Sequence, residues 1–160
     1  MMNEKIKEIV EKLFWEILEQ HFFLLPDPFE GELPEKLPED YWVASMNVSG
    51  DIKGDFRMYI PRSVCAEVDA TLMADTYPSG KNDANEMDFA KEAINIIVPS
   101  IMIDWAMGKY NFKASLPECS AVSVGHWKEM LSMHSGSWSY FAVNANGIPV
   151  IFSYEFCGGK

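Results

Sequence analysis

Basic residues are scarce in this chain. Thirteen lysines and arginines stand against 24 aspartates and glutamates, a net charge of −11, and the cations are scattered singly instead of forming a face. Nucleic acid and anionic membranes are held by such a face, so both partner classes are disfavoured. Long apolar runs are missing as well. The most apolar stretch, Ala93 to Trp105, is broken by Asn95, Pro99 and Asp104 and is too short to cross a bilayer. Residues Asn3 to Gln20 interleave Glu and Lys with apolar positions, unlike the uninterrupted apolar centre of a signal peptide. The three cysteines, Cys65, Cys119 and Cys157, lie far apart with no Cys-x-x-Cys pairing, which suits a reducing compartment. Together these absences predict a cytoplasmic protein. No glycine-rich phosphate loop, internal repeat or low-complexity tract occurs. His21, His126 and His134 have no carboxylate or thiol at ligand spacing, so no metal or cofactor of its own is expected.

What is present suits a packed interior. Apolar residues make up 48% of 160 residues and aromatics 13%, enough for one domain over 1–160 and short of two. Ile6, Ile9, Val10, Leu13, Phe14 and Ile17 recur at three and four, predicting an amphipathic helix over 3–22. Four prolines in 26–40 then make an extended connector that lies over the domain. Strict alternation predicts paired strands at 41–49 and 52–60, with a tight turn at Gly50-Asp51 and a bulge or close backbone approach at Gly54. Pro61 opens a helix to about Ala74, 77–82 is a loop, and a long helix runs from Asp83 to Met107, stopped by Gly108. A strand is expected near 121–124 and an unassigned stretch around Trp127. A closing hairpin of 137–143 and 149–156 follows, turning at Asn146-Gly147. The fold class is α+β, with helices packed on a largely antiparallel sheet.

The chemistry collects on the long helix. Glu92 and Asn95 lie about 60° apart and one turn along the same face. Asn85 and Asp88 extend that polar stripe toward the N-terminus, while Met87, Ala90, Ile94, Ile97, Val98, Ile101 and Trp105 form the opposite, core-facing stripe. A carboxylate and a carboxamide at this spacing also suit an ordinary solvated helix face. Beyond Asn95, however, the outer stripe turns apolar through Ile96, Pro99, Met102 and Ile103, flanked by Phe89. That pattern reads either as an exposed dock or as a surface covered by the connector or by a second copy. Pro99 cannot donate to the carbonyl of Asn95, so the helix is expected to bend or open beside the pair.

In order and spacing, these elements resemble the CheX branch of the CheC/CheX/FliY phosphatases. The resemblance is carried by Glu92-x-x-Asn95, by the hairpin Val48 to Gly54, by the helix after Pro61, by Phe22-Phe23-Leu24-Leu25-Pro26-Asp27-Pro28 and by the strand from Pro149 to Phe156. It implies hydrolysis of the phospho-aspartate of a CheY-like receiver. Glu92 would pair with the receiver's lysine and Asn95 would orient the attacking water. The receiver would supply Mg²⁺, and the apolar neighbours with Asp88 would complete the dock. A single Glu-x-x-Asn motif is the CheX pattern, and the resemblance further implies a homodimer joined through its sheets. The apolar, β-prone Val143, Val150, Ile151 and Phe152 suggest the edge that joins. Val98-Pro99-Ser100 stands where the family often has a small Gly-Asn pair, so a receiver-binding adaptor without catalysis is the second reading, and a structural homodimer the third.

Overall fold

A computed structural model describes residues 2–34, 36–72, 83–106, 108–122 and 138–157. In chain order the elements are α1 (Met2–Phe22), β1 (Asp27–Pro28), β2 (Tyr41–Gly50), β3 (Lys53–Pro61), α2 (Arg62–Leu72), α3 (Asp83–Ala106), β4 (Phe112–Ala114), β5 (Glu118–Val122), β6 (Ser139–Ala145) and β7 (Ile148–Cys157). Among the described residues the strands form one antiparallel sheet in the order β1-β6-β7-β3-β2-β4, with β5 also paired to β2.

Alternation along the strands creates two faces, and both are covered. Trp42, Ala44, Met46 and Val48 of β2, Phe56, Met58 and Ile60 of β3, and Val150, Phe152 and Tyr154 of β7 point toward the helices. They pack with Val10, Phe14 and Leu18 of α1 and Ile94, Ile97 and Ile101 of α3. Tyr41, Val43, Tyr59 and Ile151 point the other way, and there the proline-rich connector covers them, with Leu37 buried and Phe29 and Leu33 beside it. The first four residues of β2 are therefore all buried, in spite of the alternation. The Tyr41 hydroxyl donates to the Pro149 carbonyl at 2.5 Å within this outer layer.

Two glycines stand where the chain packs closely. Gly50 has φ +119°, and a Cβ there would meet the Asn111 carbonyl oxygen at 2.7 Å. Gly54 lies against the Phe156 ring, which a Cβ would approach to 3.1 Å, so the close approach expected at Gly54 is present. The closing hairpin turns through Asn146 (φ 55°) and Gly147 (φ 79°), the pair of left-handed conformations that matches strand twist in a two-residue turn.

The structure corrects several expectations. Pro61 ends β3, and α2 opens at Arg62, whose N–H donates to the Asp40 carbonyl at 3.0 Å. The short strands β1 and β4 had no periodic signal. The strand expected near 121–124 begins at Glu118 instead. Val150, Ile151 and Phe152 are buried because β7 lies between β3 and β6, and Val143 is buried where β6 pairs with both β7 and β1, so they form no apolar edge. Positions 73–74, the loop at 77–82, Met107, positions 123–124, Trp127 and position 137 lie outside the described residues.

Gly50→Ala is expected to lower unfolding free energy by about 1–3 kcal/mol, since the left-handed backbone and the backbone oxygen both resist a Cβ. Denaturant titration checks it. An unchanged midpoint would contradict the turn geometry.

Candidate functional site

Helix α3 packs between α1 and β5 over β2 and β3, with α2 against it as well. Its inner face is apolar with one exception. Glu86 falls on the same side as Ala90, Ala93 and Ile97 and is buried. Such a carboxylate must be paired. The Trp42 indole N–H donates to Glu86 Oε1 at 3.1 Å, and Arg62 Nε donates to the same oxygen at 3.2 Å. Another guanidinium nitrogen of Arg62 bonds Asp83, and the guanidinium lies 4.7 Å from the Trp42 ring centroid. One carboxylate thus ties the start of α3 to α2 and to β2 of the sheet. An open cavity of about 320 Å³ beside it is lined by Glu39, Asp40, Arg62, Ser63, Ala66 and Glu86.

On the opposite side of α3, Asp88, Glu92, Asn95 and Ile103 are exposed, and Ile96 and Pro99 are half-buried. Ile103 is 67% exposed. Glu92 forms no ion pair and the Asn95 side chain no hydrogen bond among the described residues. Both groups are therefore open to an incoming molecule. Phe89 and Met102, expected in the exposed apolar strip, are buried instead. The reason is the helix's neighbours: Phe22 of α1 meets Phe89 edge-on, ring centroids 4.8 Å apart, and Met102 belongs to the main core. The wet stripe is narrower than the helical spacing alone suggests.

Pro99 does not open the helix, which runs unbroken from Asp83 to Ala106. Burial along its inner face holds it, and the Ser100 hydroxyl donates to the Ile96 carbonyl at 2.7 Å one residue beyond the proline. Covalently, Pro99 still has no N–H for the Asn95 carbonyl.

The remaining reactive groups are placed for packing. Burial first of all pushes the Cys119 thiol up to about 11, with Lys91 opposing and Asp88 adding. Burial raises Cys65 further. Both are neutral thiols at physiological pH, poor nucleophiles. His21 is exposed on α1, and His126 and His134 lie outside the described residues. No group of three or more His, Cys, Asp or Glu that could hold a metal ion occurs among the described residues. No helix among them is long and apolar enough to cross a membrane.

No protein-family model matches the chain, and no curated protein sequence matches it. Solved structures do. A CheC-like superfamily protein from Shewanella sp. PV-4 is 11% identical with a TM-score of 0.71, over 96% of this chain and 97% of that one. The chemotaxis protein CheX from Vibrio vulnificus is 12% identical with a TM-score of 0.70, over 96% and 99%. CheX from Borrelia burgdorferi, in a CheX–CheY–BeF3–Mg²⁺ complex, is 11% identical with a TM-score of 0.69, over 93% and 96%. The chain has the CheC/CheX fold.

Within the CheX fold, two features of this chain escaped the sequence reading. Glu86 was detectable as a lone carboxylate on an apolar helix face. Phe23 and Leu25, exposed at the end of α1, follow no periodic pattern and had no such signal. Glu86→Ala is expected to destabilise the domain by about 2–4 kcal/mol, toward the lower side of buried-pair removal because Arg62 is partly exposed. Glu86→Gln, which keeps an acceptor for both donors, should lose less. Equal losses in chemical denaturation would contradict the anchor.

Proposed function

We propose that this chain belongs to the CheX branch of the CheC/CheX/FliY phosphatases and accelerates hydrolysis of the aspartyl phosphate of a CheY-like receiver in the cytoplasm. The observation that carries the reading is the open pair on α3. Glu92 and Asn95 stand exposed, one turn apart, on a helix whose inner face is buried, within a fold that includes a CheX solved bound to CheY.

In this reading Glu92 pairs with a lysine of the receiver and brings the phosphoryl group over Asn95. The Asn95 carboxamide holds a water in line through its oxygen and NH₂. The water oxygen bonds to phosphorus as the bond to the aspartyl oxygen breaks, and the water's proton leaves with inorganic phosphate or solvent. Asn95 has no proton to give or take near neutral pH, so its contribution is position. Acyl phosphates are reactive enough for position to matter, with an ideal limit of about 7–11 kcal/mol. Mg²⁺ bound to the receiver would offset charge on the phosphoryl oxygens, and this chain contributes no ligand to it in the proposal.

Asn95→Ala is expected to remove most of the acceleration while leaving receiver binding within about twofold, because the ordered water matters only as the barrier is crossed. Glu92→Ala should act on binding, by about 2–5 kcal/mol where the pair is desolvated. Asn95→Asp, which sets a negative charge against the phosphoryl group, should be as inactive as Asn95→Ala. The measurement is phosphate release from acetyl-phosphate-charged receivers, with binding followed separately. Unchanged release by Asn95→Ala would overturn the catalytic assignment. Binding without any acceleration by the wild type would favour the adaptor, to which Val98-Pro99-Ser100 is the pointer.

A homodimer joined through the sheet remains part of the proposal, on different residues. Among the described residues, β6 is paired on its outer side only at Val143 and Asn144. No described strand pairs with the outer backbone of 139–142, where Tyr140 is exposed. Sedimentation at tens of micromolar is expected to give twice the monomer mass, and a monomer would remove the dimer.

A further inference from the structure

The end of α1 carries two large apolar side chains in water. Phe23 is 65% exposed and Leu25 83%, while Phe22 and Leu24 on either side of Phe23 are buried. Phe23 also has φ +56°, the left-handed region that ends helices and that glycine normally fills. The Leu24 N–H donates back to the Leu18 carbonyl at 3.0 Å, which secures the cap. A phenylalanine here is therefore strained and hydrated at once, and its backbone is held by two buried neighbours. Neither property helps the protomer fold.

The position of this corner is informative. Phe22 packs edge-on against Phe89 of α3, at 4.8 Å between ring centroids. Glu92 follows Phe89 by three residues and lies about 60° from it around the helix. The corner consequently borders the Glu92 side of the exposed stripe. Ile103 stands on that stripe three turns further along, 67% exposed. Apolar groups thus stand beyond both ends of a carboxylate and a carboxamide that no described side chain engages. What fits is a protein surface presenting one cation beside an apolar patch.

We infer that Phe23 and Leu25 form an apolar anchor of the same receiver dock, selecting the partner next to the Glu92 contact. The inference rests on the receiver reading above. The net charge of −11 gives the anchor a physical role in that reading. Without a basic field there is no long-range steering toward an acidic partner, so attraction has to arise at contact. Apolar side chains on a backbone pinned by the buried Phe22 and Leu24 supply it with only side-chain ordering to offset.

The test uses the full chain and the CheY-like receiver domains of its source organism, each held with beryllium fluoride and Mg²⁺. Phe23→Gly should leave the thermal midpoint unchanged or higher, since glycine takes the left-handed position freely. The Phe23→Gly/Leu25→Ser double variant should nonetheless weaken receiver binding by about tenfold or more, equivalent to about 1.4 kcal/mol. Wild-type affinity in the double variant, with Glu92→Ala weakened, would overturn the anchor and leave the receiver reading standing. Failure of every receiver to bind the wild type would remove both. A shift of the free chain to a lighter species in sedimentation on Phe23→Gly would assign the corner to a second copy instead.

Discussion

A buried carboxylate on an otherwise apolar helix face needs its partners in place before the helix can settle. Glu86 has two, the Trp42 indole on β2 and the Arg62 guanidinium at the start of α2. Arg62 in turn lies over the Trp42 ring and reaches Asp83. These contacts come from three elements and are directional, whereas the contacts of Ile94, Ile97 and Ile101 are apolar and tolerate small rotations. Sliding α3 by one residue would turn Glu86 about 100° away from both donors. The same slide would carry Glu92 and Asn95 off the open stripe. Rotation of the helix, and hence the address of its wet face, depends on this contact more than on the apolar packing around it.

The sheet supplies the platform for that contact, and it was legible because its rule is simple. Phe56, Met58 and Ile60 alternate with polar neighbours, and Asn146-Gly147 marks the last turn, so strands and hairpin are apparent from period and turn chemistry. The long helix was equally clear from its inner stripe. Strands β1 and β4 were not, since two or three residues have no period to detect. Pro61 was misplaced by one residue because proline suits both a strand end and a helix start.

The candidate site was legible in part, for a different reason. Residue spacing shows which side chains share a face, but not how much of that face its neighbours cover. Glu92, Asn95 and Ile103 proved exposed, while Phe89 and Met102 were lost to α1 and to the core. The proline raised a parallel difficulty. Read locally, Pro99 argues for a break, yet burial along α3 outweighs one missing amide, and the Ser100 hydroxyl occupies the Ile96 carbonyl beside it. Phe23 was invisible for a third reason, since a left-handed backbone at a phenylalanine runs against propensity and shows only in the structure.

These points converge on what a carboxamide needs in order to be useful. A base contributes through its proton affinity even when its position is imperfect, because the chemistry tolerates some variation in proton-transfer geometry. An amide that orients water has only geometry, and a displacement of about 1 Å can remove a hundredfold. It is best carried on a rigid element, with the supporting contacts behind it and nothing competing in front. Helix α3 meets that description. Its inner face is buried, its rotation is set by Glu86, and neither Glu92 nor Asn95 is engaged by another described side chain. The rigidity is thus placed where positional chemistry would use it, and the open groups are placed where a partner would find them.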